Sequence, residues 1–367
     1  MSNTLDTVTN YINIRILHFL MVMAALVTTN GLANAQSVPI PDGLRLKTLA
    51  AKHHMLIGGA TDLNHNDPFE EAIIKNEYSV LSNEDCLKPH AIHPGENSYN
   101  FTQPDKFVAF CRDNHIITKA HKLMARDGYL PEWMLNPKLT VTDLQKILVK
   151  HIENVMGRYK KGSPYGEIKY WDVFNEVINY GSIFEKLGKN SDGDFLYWEL
   201  VFQTARRVDP ACILVWNEDN MEFDVPKTEK LYNTIKRLKA NGVPIDAVGF
   251  QCHIGYGGCP QPDYKQLAHS FQKFADLGLY IVITEMDVPD RLDQVDIWKK
   301  IVQVCLNQPK FILLDTWNVV DKYSWRLQEK ETGMLLFDDN YKAKPTYYAV
   351  QSVLEQKNPN AVKRHLP

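Results

Sequence analysis

Ile168-Lys-Tyr-Trp-Asp-Val-Phe-Asn-Glu176 is mostly apolar, rich in β-forming residues, and closes on a carboxylate. Leu279-Tyr-Ile-Val-Ile-Thr-Glu285 repeats the design. Runs of this kind belong to buried parallel strands, and their terminal glutamates then emerge at one shared rim. Six further strand-like runs surround them: His54–Thr61, Ser79–Asp85, Ile116–Met124, Cys212–Glu218, Ala247–Ile254 and Phe311–Val320. Between them lie stretches with apolar residues three and four apart, the spacing of one helix face. They include Leu144–Tyr159, Tyr197–Val208, Lys230–Leu238, Tyr264–Ala275 and Val295–Leu306, with a closing helix near Tyr347–Glu355. Eight alternations predict a single-domain (β/α)8 TIM barrel rather than an open doubly wound sheet. Gly58-Gly59-Ala60-Thr61 lacks both the dinucleotide fingerprint and the Lys-Ser/Thr ending of a nucleotide loop, so no such cofactor is expected.

The 367-residue chain carries a net charge of -3 with both signs well mixed, which gives no footprint for nucleic acid or an anionic membrane. Residues 1–35 read separately. Arg15 precedes the apolar run Phe19-Leu-Met-Val-Met-Ala-Ala-Leu-Val, and Ala33-Asn34-Ala35 follows as a small-x-small tripeptide. That pattern predicts a signal peptide over 1–35 and a secreted or periplasmic chain over 36–367, without stable membrane association once the signal is removed. All six cysteines lie beyond it. Cys252 and Cys259 bracket a Gly-rich loop that a bridge would close in an oxidising compartment, whereas Cys111 and Cys305 read as buried helix residues. No CxxC pair occurs and the histidines are scattered, so no structural zinc and no metal cofactor are expected.

Barrel enzymes place their chemistry at the C-terminal strand ends. Here those ends carry Asp85 and Lys88, His121, Asn175 and Glu176, Asn217, Gln251 and His253, Glu285 and Asp287, and Trp317. Such a ring of polar groups with interleaved tryptophans describes a cleft for a ligand rich in hydroxyls, a polysaccharide or oligosaccharide. Two glutamates at separate strand ends are what a two-carboxylate glycosidase requires.

These segments resemble glycoside hydrolase family 10, whose best-known members are endo-β-1,4-xylanases. Trp171-Asp172-Val173-Phe174-Asn175-Glu176 is similar to the family's acid/base segment, and Ile283-Thr284-Glu285-Met286-Asp287 to its nucleophile segment. Ala247-Val-Gly-Phe-Gln251-Cys-His253 resembles strand six, and Trp317, Asp321, Ser324 and Trp325 match strand eight. Leu335-Leu-Phe-Asp338 followed by Lys344-Pro345-Thr-Tyr347-Tyr348 resembles the closing segment. The resemblance implies retaining hydrolysis of xylan or a related hemicellulose by a monomer, with Glu285 as nucleophile and Glu176 as acid/base. It further implies that His253 and Asn217 orient Glu285, that Asn175 bonds a sugar 2-hydroxyl, and that Trp317 forms a platform. Lys88, His121, Gln251 and Trp325 then complete the substrate cleft, with Asp172 and Asp287 in support.

The chain departs from the family pattern at three strands. The usual Glu-Asn before the strand-two lysine reads Glu84-Asp85, then Lys88. The strand-three Trp-His is replaced by Ala125-Arg126, and Asp127-Gly128-Tyr129-Leu130 leads to Pro131 and Trp133. The strand-five Asn-Asp-Tyr-Asn reads Asn217-Glu218-Asp219-Asn220. By the resemblance these changes fall on the side of the non-reducing sugars. Arg126 there either pairs with Asp85 and fills the subsite or binds the carboxylate of an acidic sugar. Three readings follow: a xylanase, a hydrolase of another β-glycan or an acidic, decorated oligosaccharide, and a non-catalytic carbohydrate-binding barrel.

Overall fold

In the computed structural model all eight expected strands form and close on themselves. They are β1 (Leu56–Ala60), β2 (Val80–Ser82), β3 (Ile117–Ala125), β4 (Tyr170–Asn175), β5 (Ile213–Glu218), β6 (Ala247–Phe250), β7 (Tyr280–Met286) and β8 (Phe311–Thr316). They pair in sequence order, every pair parallel, and β8 returns to β1. The structure describes residues 39–222, 225–256, 262–356 and 366. The signal expected over residues 1–35 lies outside them, as does Cys259 of the possible Cys252–Cys259 bridge.

The outer helices are α1 (Leu46–Lys52), α2 (Pro68–Glu77), α3 (Pro89–Ile92), α4 (Thr102–Asp113), α5 (Val141–Arg158), α6 (Leu196–Val208), α7 (Val225–Ala240), α8 (Tyr264–Asp276), α9 (Gln294–Asn307) and α10 (Pro345–Glu355). Among the described residues none is long and apolar enough to cross a membrane. α5 shows how sequence produces such an element. Thr140 and Asp143 form a reciprocal capping box at its start, and Leu144, Ile147, Leu148, Ile152, Val155 and Met156 turn to the barrel.

Apolar periodicity singles out no helix ahead of Phe107, and α2 shows why. Its buried face is Glu70, Ile73, Ile74 and Glu77, so two carboxylates occupy the helical stripe. Glu77 accepts hydrogen bonds from Leu46 N at 2.9 Å, Arg45 Nη1 at 3.0 Å and Tyr347 OH at 2.9 Å. It therefore ties the start of α1 and the closing α10 to α2. A buried carboxylate with three donors is satisfied where an unpaired one would not be.

The barrel floor is apolar, built from Leu56, Val80, Tyr170, Ile213, Val215, Ala247, Val282, Ile312 and Leu313. A charged group also lies inside the barrel. Lys119 Nζ sits 2.6 Å from Asp172 and 4.0 Å from Asp315, all three fully buried. Burial alone would push the Lys119 ammonium down, but the two carboxylates outweigh it and keep it charged. This cluster links the wall to the rim, because Asp172 also contacts His121 Nδ1 at 3.1 Å.

Candidate active site

Glu285 lies near the end of β7, almost wholly buried. Asn217 Nδ2 donates to its Oε1 at 2.7 Å, and His253 Nε2 stands 3.1 Å from its Oε2. The other ring nitrogen of His253 is 2.9 Å from Asp287 Oδ2. Burial would push this imidazole down, yet Asp287 and Glu285 outweigh it and raise it to about 10. It is therefore a cation that donates to both carboxylates. Asp287 is held in turn by Trp325 Nε1 at 2.9 Å and Arg326 Nη1 at 2.7 Å. His121, 3.6 Å from Glu285, is different: burial first, then Lys122 and Lys119, keep it well below the usual imidazole range. It is a neutral neighbour of Glu285 rather than an ion-pair partner.

Glu176 directly follows β4 with φ 57°, a left-handed conformation uncommon outside glycine. Its backbone N–H is anchored on Asn217 O at 3.1 Å. The next two backbone N–H groups, of Val177 and Ile178, both donate to Glu218 Oε1 at 2.9 Å, so a buried carboxylate on β5 fixes the turn. The Glu176 carboxylate accepts from Asn175 Nδ2 and Gln251 Nε2, each at 3.0 Å on Oε1, and from Arg126 Nε at 2.9 Å on Oε2. Burial pushes this carboxyl up, but Lys122, Gln251, Arg126 and Asn175 outweigh it and leave it below the usual range.

The two glutamates share one amide relay. Asn217 Nδ2 also donates to Asn175 Oδ1 at 2.7 Å, while Thr284 Oγ1 donates to Asn217 Oδ1 at 2.6 Å. Gly249 on β6 leaves room for this crossing, since a Cβ there would lie 2.6 Å from Asn217 Oδ1.

Of the residues expected from sequence, Lys88, His121 and Arg126 line the cleft together with the two glutamates. Gln251, His253, Trp317 and Trp325 line it as well. Trp317 meets His121 edge-on at 4.8 Å, and Trp325 meets His253 at 5.1 Å. Asn175, Asn217, Asp172 and Asp287 are fully buried. Asp85 is a correction. Its half-exposed side chain pairs with Lys88 at 3.2 Å, and its neighbour Glu84 faces the cleft instead. The reason is Asp62, whose carboxylate gathers the backbone N–H groups of Glu84, Asp85 and Cys86 and turns Asp85 outward. The Arg126–Asp85 pair, one of the two readings of Arg126, is likewise not made, because Arg126 bonds Glu176.

Lys122, Tyr129, Tyr180 and Tyr256 also line the cleft, although the sequence reading passed over them. Strand alternation places Lys122 on the face opposite His121. The pairing of β3 with β4 shifts register between His121 and Met124, however, and Lys122 reaches the cleft.

A closed parallel barrel that brings two glutamates from separate strand ends into one polar, aromatic cleft defines a glycoside hydrolase. Residues 45–353 match the sequence model of Glycosyl hydrolase family 10, and the chain belongs to that family. Endo-1,4-beta-xylanase B of Thermotoga neapolitana is 33% identical over 328 residues, covering 85% of this chain and 92% of the relative. Endo-1,4-beta-xylanase B of Humicola insolens is 29% identical over 299 residues, with 77% and 80% covered. The crystal structure of xylanase 10B from Thermotoga petrophila RKU-1 in complex with xylobiose is similar at a TM-score of 0.77 and 34% identity. It matches 86% of this chain and 98% of its own.

Proposed function

We propose that this protein hydrolyses β-1,4 linkages of xylan with retention of configuration, using Glu285 as nucleophile and Glu176 as acid/base. The observation that carries the assignment is the asymmetry of their partners. Glu285 is oriented from behind by Asn217 and the His253 cation, as an attacking carboxylate needs. Glu176 is bonded by amides and the Arg126 guanidinium and is the more exposed of the two, where a proton can come and go.

In the first step a Glu285 oxygen bonds the anomeric carbon as the glycosidic C–O bond breaks. The proton of Glu176 goes to the departing oxygen. The resulting glycosyl ester removes the negative charge of Glu285, which favours Glu176 as an anion. Water then attacks the anomeric carbon, Glu176 takes its proton, and Glu285 leaves as carboxylate. This chemistry requires the carboxyls about 5–5.5 Å apart. Asn175 is assigned to the sugar 2-hydroxyl, and Lys88, His121 and Gln251 to other hydroxyls. Trp317 and Trp325 are assigned to the ring faces. The same reading has residues 1–35 removed on export, leaving a secreted or periplasmic monomer.

The test is reducing-end release from xylan by the 36–367 protein beside Glu285→Gln, with NMR of the first product. Release of the β-anomer, abolished by the substitution, is expected. An α-anomer first, or release that survives in Glu285→Gln, refutes the assignment.

A further inference from the structure

Three cations gather where β3 ends. Lys122 Nζ stands 3.3 Å from the centre of the Tyr129 ring, the Arg126 guanidinium 5.1 Å and Lys88 Nζ 5.4 Å. All four residues line the cleft beside Glu176. Lys88 has the outward-facing Asp85 as partner, and Arg126 has Glu176. Lys122 is the exception. It is 1% exposed, yet among the described residues it makes no ion pair or hydrogen bond, only the ring contact. Glu176 and Glu285 act on it only at longer range, without a direct ion pair, and a buried ammonium with no bonded counterion is costly and favours an anion beside it. A neutral xylose chain offers hydroxyls alone.

We propose that Arg126, Lys122 and Lys88 around Tyr129 form a subsite for the carboxylate of a uronic acid carried on the glycan. The inference rests on the xylan-hydrolysing reading of the cleft and specifies which xylan it takes. Arg126 already engages Glu176 through Nε, and a guanidinium has further N–H groups for a second, forked carboxylate contact. It also lies over the Tyr180 ring at 4.8 Å, and its side chain is partly exposed to the cleft.

The carboxylates elsewhere in the cleft do not compete for these cations. Asp219 is ion-paired with Lys227 on the β5 side, and Glu222 accepts the backbone N–H of Cys252 at 2.7 Å. Glu84 is bonded by Asn318 at 3.0 Å, and burial with Asp62 nearby pushes it up to about 7. Near neutrality it is partly uncharged. Burial likewise pulls Lys122 down to about 7, so an arriving carboxylate completes its protonation. The same carboxylate draws Arg126 and Lys122 away from Glu176. Glu176 then holds its proton more readily for the first step, so the anionic branch selects the substrate and readies the acid together.

The deciding substrates are a glucuronate-branched xylo-oligosaccharide and the same compound with its carboxyl reduced to the alcohol. The purified 36–367 protein is expected to favour the acid in kcat/KM by about tenfold or more, as a site with an otherwise unpaired buried group discriminates. Lys122→Met and Arg126→Gln are each expected to bring the ratio to about one. Titration calorimetry on Glu285→Gln protein, which binds without turnover, is expected to show the same preference, weakening as salt is raised. A wild-type ratio near one, with xylan still cleaved, overturns the subsite and leaves the hydrolase assignment standing. If no xylan is cleaved, that assignment fails and the calorimetry alone decides: tighter binding of the acid that depends on Lys122 upholds the subsite, and equal binding overturns it.

Discussion

Asn217 holds Glu285 and reads the position of Glu176 through one amide nitrogen. Its Nδ2 is 2.7 Å from Glu285 Oε1 and 2.7 Å from Asn175 Oδ1, and Asn175 Nδ2 is 3.0 Å from Glu176. Each glutamate is thus placed partly by reference to the other. Asn217→Ala removes both contacts at once. Loss of one preorganised donor in an active site costs on the order of 10²–10³ in kcat, and that range is expected here. Steady-state kinetics on a xylo-oligosaccharide checks it, with KM changing much less. A kcat within a few-fold of wild type removes the relay from the mechanism.

Arg126 sets a pH limb. Burial would raise the Glu176 carboxyl, but Lys122, Gln251, Arg126 and Asn175 together hold it below the usual range. The first step needs this group protonated, so the rate on plain xylo-oligosaccharide falls as pH rises through its pKa. A lowered pKa places that fall on the acid side. Arg126→Gln removes one of the groups that lower it, so the descending limb of kcat/KM is expected to move to higher pH. An unmoved limb means that Glu176 does not sense the guanidinium.

The strands were legible because parallel strands buried on both faces are mostly apolar and β-rich, as in Ile281–Ile283 before Glu285, although β3 carries Lys119, His121 and Lys122 and β4 carries Asp172. The carboxylates were legible because those runs end on them. Lys122 was not, since its cleft position comes from a register shift that no alternation rule contains. Glu84 and Asp85 could not be told apart either. Which of two adjacent acids faces the cleft depends on Asp62, more than twenty residues earlier, gathering the local N–H groups. Arg126 was seen as a departure, but its partner is Glu176 across fifty positions, a relation only the closed barrel creates.

Gly249 keeps a space that the relay needs. A Cβ at this position would lie 2.6 Å from Asn217 Oδ1 and 2.9 Å from Thr284 Cγ2, closer than real contacts allow. Gly249→Ala is expected to leave the barrel folded while displacing the Asn217 amide. Misplacement of about 1 Å near the chemistry costs about 10²-fold, and kcat is expected to fall toward that value. Adding Thr284→Ser removes the methyl and keeps the hydroxyl donor, so partial rescue is the expected signature. No rescue would mean that the clash is relieved through the backbone of β6 instead.

Lys119 is the cation on which two buried carboxylates depend, and its loss is expected to appear as pH-dependent instability. Asp172 Oδ1 and Asp315 Oδ1 have no hydrogen-bond partner, and Lys119 lies 2.6 Å and 4.0 Å from the two groups. Burial already raises Asp172 to about 6 and Asp315 to about 7 despite Lys119. Lys119→Met leaves both without a counter-charge, and removing one member of a buried ion pair destabilises by about 3–5 kcal/mol. The two carboxyls then bind protons more tightly in the folded chain than in the unfolded one. Stability therefore declines as pH rises from the unfolded carboxylate range through the folded values, and it recovers on acidification. Urea melts of wild type and Lys119→Met at pH 8 and pH 5 measure this directly, with the smaller deficit expected at pH 5. A deficit equal at both pH values would assign the loss to packing of the lysine stem rather than to its charge.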